Sequence, residues 1–166
     1  MIIIVDIEAS GLQADSYPIE VGVALADGGR HSMLIRPEPD WIHWDKDAEQ
    51  IHGITRKTLC QHGRPIEEVA HRINTLLNAQ QTYSDGWVVD KPWLTRLFSA
   101  ARIPMLFALS PIEQIMSENQ FSIWDDIKQQ MIQELGVTRH RASHDAWIIQ
   151  QTYVRSRQLS LNKMSL

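Results

Sequence analysis

Met1-Ile2-Ile3-Ile4-Val5-Asp6-Ile7-Glu8 opens the chain with five apolar residues and then sets carboxylates at positions 6 and 8. The run is too short to span a bilayer and rich in β-branched side chains, so it predicts a buried strand. Side chains alternate across a strand, which puts Asp6 and Glu8 on the face shared by Ile2 and Ile4. Carboxylates at the mouth of a buried strand are costly unless something compensates their charge. A divalent cation would do so, and Asp6 with Glu8 would then be the first half of a metal-dependent site.

The rest of the composition sets the frame. A chain of 166 residues is about one domain and long enough to bury a substantial core. The expected organisation is a single domain over residues 1–158 followed by a loosely held C-terminal tail over 159–166. Asp6 interrupts the first apolar run too early for a secretory h-region, and no membrane partner is expected. Cys60 is the only cysteine, which rules out an internal disulfide and makes a reducing cytoplasm the expected location. A net charge of −4 argues against broad non-specific binding to duplex nucleic acid. It does not argue against a phosphate site bridged by metal, because divalent cations held by carboxylates offset the deficit.

Apolar periodicity and turn residues give the elements. Tyr17 to Ala26 predicts a second strand, Asp27-Gly28-Gly29-Arg30 a tight turn, and His31 to Arg36 a third strand closing a hairpin. Pro37 and Pro39 open a loop carrying Trp41, His43 and Trp44. Ile66, Val69, Ala70, Ile73, Leu76 and Leu77 recur at helical spacing over 66–79. Gln81 to Val89 predicts a fourth strand with a bend at Gly86, Asp90 to Ala101 a helix with Pro92 in its first turn, and 104–109 a fifth strand. Ser122 to Leu135 predicts an amphipathic helix ending at Gly136, and Ser143 to Arg157 the last helix. This order predicts an α/β domain with a mixed sheet flanked by helices.

Three more residues carry candidate chemistry. Asp90 lies where a strand passes into a helix, and Asp145 lies near the start of the final helix; taken singly, either is an ordinary helix cap or dipole partner. His140 precedes Asp145 within Arg139-His140-Arg141-Ala142-Ser143-His144-Asp145-Ala146. Hard oxygen ligands such as these four carboxylates suit magnesium or manganese better than zinc. No strained Gly-x-Ser-x-Gly turn accompanies His140, Ser143 and Asp145, so a serine-hydrolase triad is discarded.

Taken together, the motifs resemble the DEDD family of 3′–5′ exonucleases, in its histidine-containing subgroup. The resemblance rests on Asp6-Ile7-Glu8-Ala9-Ser10-Gly11-Leu12, on Pro18-Ile19-Glu20-Val21-Gly22, on Ile51-His52-Gly53-Ile54-Thr55, on Asp90-Lys91-Pro92-Trp93-Leu94 and on His140 through Asp145-Ala146, in the family's order. It departs from the family at Ser84-Asp85-Gly86-Trp87-Val88-Val89-Asp90, which lacks the histidine and asparagine usual before that aspartate. The family's fold would be ribonuclease H-like, with a central five-stranded mixed sheet flanked by helices.

The resemblance implies a metal-dependent exonuclease that releases nucleoside 5′-monophosphates from the 3′ end of single-stranded DNA or RNA, with two ions, Mg2+ or Mn2+. Asp6, Glu8, Asp90 and Asp145 are the implied ligands, and His140 accepts the proton of the attacking water. Ala9, Ser10 and Leu12 fall where relatives meet the terminal sugar and bases, and His52 is a further substrate candidate. Arg139 and Arg141 are candidates for pairing phosphates, and Trp41 and Trp44 for stacking bases. A solvated face is the reading for Asp125-Asp126. A homodimer is left open, as are an inactive binding module and another phosphodiesterase on the same scaffold.

Overall fold

The computed structural model describes residues 1–163, with side chains through residue 161. Its strands are β1 (Ile3–Ala9), β2 (Pro18–Ala24), β3 (Arg30–Leu34), β4 (Gln81–Ser84) and β5 (Ala108–Pro111). Its helices are α1 (Lys46–His52), α2 (Arg56–His62), α3 (Ile66–Leu77), α4 (Trp87–Ala101), α5 (Glu118–Phe121), α6 (Trp124–Leu135) and α7 (Ala142–Lys163), with a 3₁₀ turn at Ile112–Ile115. The strands form one sheet in the order β3-β2-β1-β4-β5. β1, β2 and β3 pair antiparallel, while β4 runs parallel to both β1 and β5. This is the expected ribonuclease H-like α/β architecture, a five-stranded mixed sheet flanked by helices.

β1 lies in the middle of the sheet and is covered on both faces. Val5 and Ile7 belong to the larger core with residues of α3 and α4, whereas Ile4 packs with Ala146, Ile149 and Tyr153 of α7. Asp6 and Glu8 therefore continue the face that Ile4 turns toward α7, as the alternation requires. Each fully buried aliphatic side chain of this core contributes about 1.5–3 kcal/mol relative to exposure. Gln150 fastens α7 to the sheet by donating to the carbonyls of Ile2, Ala24 and Leu25.

Several elements differ from the sequence expectation. Trp87-Val88-Val89 is helix, not strand: Ser84 Oγ accepts from the Gly86 N–H, and the chain turns into α4. Because α4 begins at Trp87, Pro92 lies inside the helix and not in its first turn. The fifth strand starts at Ala108 because Asn74 bonds the backbone at Pro104 and Leu106, leaving pairing with β4 to begin at Gln81 and Ala108. α7 runs on through Leu159 and Ser160 to Lys163, so residues 159–163 are helix and not a loose tail. No glycine or proline interrupts 142–163, so nothing stops the helix at Arg157. The remainder of the expected tail, 164–166, lies outside the described residues.

Candidate active site

The parallel pairing of β1 with β4 puts their carboxyl ends on the same side of the sheet, where α/β folds bind ligands. β1 reaches that side with Asp6 opposite Gly22 and Glu8 opposite Glu20 on β2. The register then slips between Glu8 and Ala9, a bulge that turns the following chain out of the ladder. β4 ends at Ser84, and the first turn of α4 brings in Asp90. α7 contributes Asp145 from its own first turn, preceded by His140.

Asp6, Glu8, Asp90, His140 and Asp145 all line one cleft of about 410 Å³. One ligand atom each from Glu8, His140 and Asp145 lies within 4.8 Å of the others. Asp90 is buried, at 3% exposure, and accepts hydrogen bonds from Ser84 Oγ and the backbone of Ile7. Asp145 accepts from Arg139 Nε at 2.7 Å through one oxygen and from the His140 N–H at 2.9 Å through the other. His140 has φ +59°, a left-handed conformation uncommon for a residue other than glycine.

The carboxylates oppose one another's ionisation. Burial, followed by repulsion from Asp90, Glu8 and Asp145, holds the Asp6 carboxyl well above the usual range. Burial and then Asp145, Glu20 and Asp90 push Glu8 up to about 7, with Arg139 working the other way. Burial raises Asp90 to about 7, in spite of its hydrogen bond from Ser84. A divalent cation among these oxygens would offset the burial and mutual repulsion that resist ionisation of Asp6, Glu8 and Asp90. Hard oxygen donors with an imidazole at their edge fit a divalent ion, so the residues present suit a metal site.

The other candidates separate cleanly. Ala9 and Leu12 line the cleft, and Leu12 is 78% exposed on its rim. Ser10 does not meet the cleft: it is fully buried, its hydroxyl accepts from the Tyr17 N–H, and its carbonyl accepts from the Asp45 N–H. Its role is to close the loop after β1. His52 lines the cleft while buried, and its Nδ1 accepts from the Ile54 N–H. That bond puts the ring proton on Nε2, which has no partner among the described residues. Trp41 is core, stacked on Tyr17 at 5.2 Å, and Trp44 bonds Glu49 through its indole N–H. Arg139 and Arg141 are bound to Asp145 and Glu20, leaving neither as a free phosphate contact. Asp85 pairs with Lys128, and Asp125 and Asp126 are exposed, as expected.

The helix that forms one wall of the cleft went unread in the sequence, although His52 on it was a substrate candidate. α1 supplies Asp47, Ala48, Ile51 and His52, with Asp45 just before it. Its signals were present: Asp45 caps the helix by accepting from the Asp47 N–H at 2.8 Å, and Gly53 closes it at φ +69°. Ser84, which steadies Asp90, and the partners of Glu20 were also unforeseen.

No protein-family model and no curated relative matches the sequence. The fold nevertheless matches solved structures. E. coli exonuclease I in complex with a dA16 oligonucleotide superposes with a TM-score of 0.71 at 16% identity, covering 96% of this chain and 42% of that one. The zinc-bound form of the E. coli exonuclease I–ssDNA complex gives 0.70 at 15% identity, over 96% and 41%. The nuclease domain of 3′hExo, a DEDDh family member bound to rAMP, gives 0.69 at 19% identity, over 95% and 91%. The chain thus spans less than half the length of exonuclease I and nearly all of the 3′hExo nuclease domain.

Proposed function

We propose that this protein is a metal-dependent 3′–5′ exonuclease of the DEDD type that removes nucleoside 5′-monophosphates from single-stranded DNA or RNA. The observation that carries the reading is the convergence of Asp6 and Glu8 from β1, Asp90 from α4, Asp145 from α7 and His140 from the turn before α7 in a single cleft. The fold it shares with exonuclease structures supports the same reading. Asp6, Glu8, Asp90 and Asp145 would hold two divalent ions, Mg2+ or Mn2+. When bound, such ions neutralise the phosphate and lower the pKa of an attacking water.

The chain's own residues supply the rest. His140 takes the proton from the attacking water, its ring reaching the cleft beside Glu8 and Asp145. Leu12 offers an exposed apolar side chain for a terminal base, and Ala9 brings backbone close to the sugar. His52, which lines the cleft, stands as a further substrate contact. The reducing compartment suited to a chain with one cysteine is the cytoplasm.

The decisive experiment is a panel of 5′-labelled DNA and RNA oligonucleotides, varied in length and strandedness, with Mg2+ or Mn2+. A ladder shortening from the 3′ end, with a circular strand left intact, is expected. An Asp6→Ala variant that keeps its fold loses this activity. Undiminished activity in that variant, or none in the wild type with any divalent metal, would sink the proposal.

A further inference from the structure

His140 stands at the centre of a short strap whose flanks are tied down on both sides. Before it, Arg139 donates to Asp145; the His140 N–H donates to the same carboxylate. After it, Arg141 reaches back to Glu20 on β2, donating from Nη2 to Oε1 at 2.8 Å and from Nε to Oε2 at 3.1 Å. The Ala142 N–H adds a bond to Glu20 Oε2 at 3.0 Å, and Ser32 Oγ donates to Oε1. Glu20 is fully buried, and these donors outweigh its burial and hold its carboxyl below the usual range. Gly22, two residues further along β2, lets the start of α7 lie against the strand: a Cβ there would come within 2.0 Å of the Ala142 carbonyl carbon. The His140 side chain makes no hydrogen bond among the described residues, yet its backbone sits at φ +59°. Arg141 is not among the residues that line the cleft.

We propose that Glu20 and Arg141 are positioning residues for His140: their bidentate pair, anchored on the buried Glu20 carboxylate, holds the residue after His140 against β2, keeping the histidine left-handed with its ring in the cleft. This rests on the exonuclease reading. Arginine's planar fork matches both carboxylate oxygens, so the pair fixes orientation as well as distance. A sparsely populated backbone conformation persists only where its surroundings over-determine it, and the bonds to Glu20 and Asp145 do so here.

The test is a cycle between Arg141→Met and His140→Ala, read as kcat and KM on a single-stranded oligonucleotide, with folding followed by circular dichroism and thermal melting. Alone, Arg141→Met lowers kcat by about 10- to 100-fold and leaves KM within about threefold; in the His140→Ala background it lowers kcat by less than about twofold further. Equal losses in the two backgrounds, or no loss in the first, overturn the assignment. So does a metal affinity weakened by more than about threefold in calorimetry with Mn2+, since the arginine would then act through the ligands. If Arg141→Met does not fold, Glu20→Gln/Arg141→Met removes both charges and is judged by the same criteria. A wild type without activity refutes the nuclease reading itself; an active wild type with the wrong cycle refutes only this inference.

Discussion

At the residue scale, Asp6 carries the largest conflict between fold and charge, since burial and its carboxylate neighbours all resist its ionisation. Asp6→Asn removes that conflict. It is expected to raise the melting temperature of the metal-free protein at pH 8 while lowering activity by at least ~10²-fold. Glu8 makes the pH dependence specific. Its carboxyl moves from 4.5 to about 7 on folding, so below about pH 4.5 both states are protonated and it adds no slope. Between there and about 7 the native state keeps a proton that the unfolded chain releases, so metal-free stability falls as pH rises and levels off above 7. The contribution is on the order of 1–3 kcal/mol, or several degrees. Melting in EDTA across this range, with Glu8→Gln flattening the curve and Mg2+ restoring stability at pH 8, checks it. The catalytic candidates were legible because aspartate and glutamate at strand and helix ends leave a spaced pattern. Ser10 was not, because only the closing of its loop onto Tyr17 and Asp45 buries it.

At the element scale, the cleft depends on how closely α7 approaches β2. Gly22→Ala would drive a methyl into the backbone of Ala142 and Ser143, which costs about 1–3 kcal/mol or more. A melting temperature within 1 °C of wild type would contradict this contact, by the roughly 2–4 °C per kcal/mol expected at this size. The long elements were readable, since β1, α3 and α6 carry full hydrophobic periods. α1 and α2 were not. They are short, and Ala48 and Ile51 of α1 face the cleft, so the amphipathic stripe that marks a core helix is missing. The run Trp87-Val88-Val89 misled for a related reason: it has strand composition, but its valines are exposed and serve α4.

At the scale of the whole molecule, the net charge of −4 and the cleft agree. Asp6, Glu8, Asp45, Asp47, Asp90 and Asp145 line it, and no lysine or arginine does among the described residues. On the proposed function, affinity for a strand therefore depends on cations. A His140→Ala variant is expected to bind a fluorescent single-stranded oligonucleotide at least ~10-fold more tightly with Mg2+ than in EDTA, with a shallow dependence on monovalent salt. Tight binding in EDTA would contradict this. Read alone, the sequence determines the strand that seeds the sheet, the mixed α/β order, and which residue types could hold a divalent ion, because local periodicity and acidic spacing are written along the chain. Only the tertiary structure decides which of them meet. The parallel β1–β4 pairing brings Asp90 to Asp6, Gly22 admits α7, and Glu20 captures Arg141. Each of these joins residues far apart in the chain, through packing and register that no local pattern encodes.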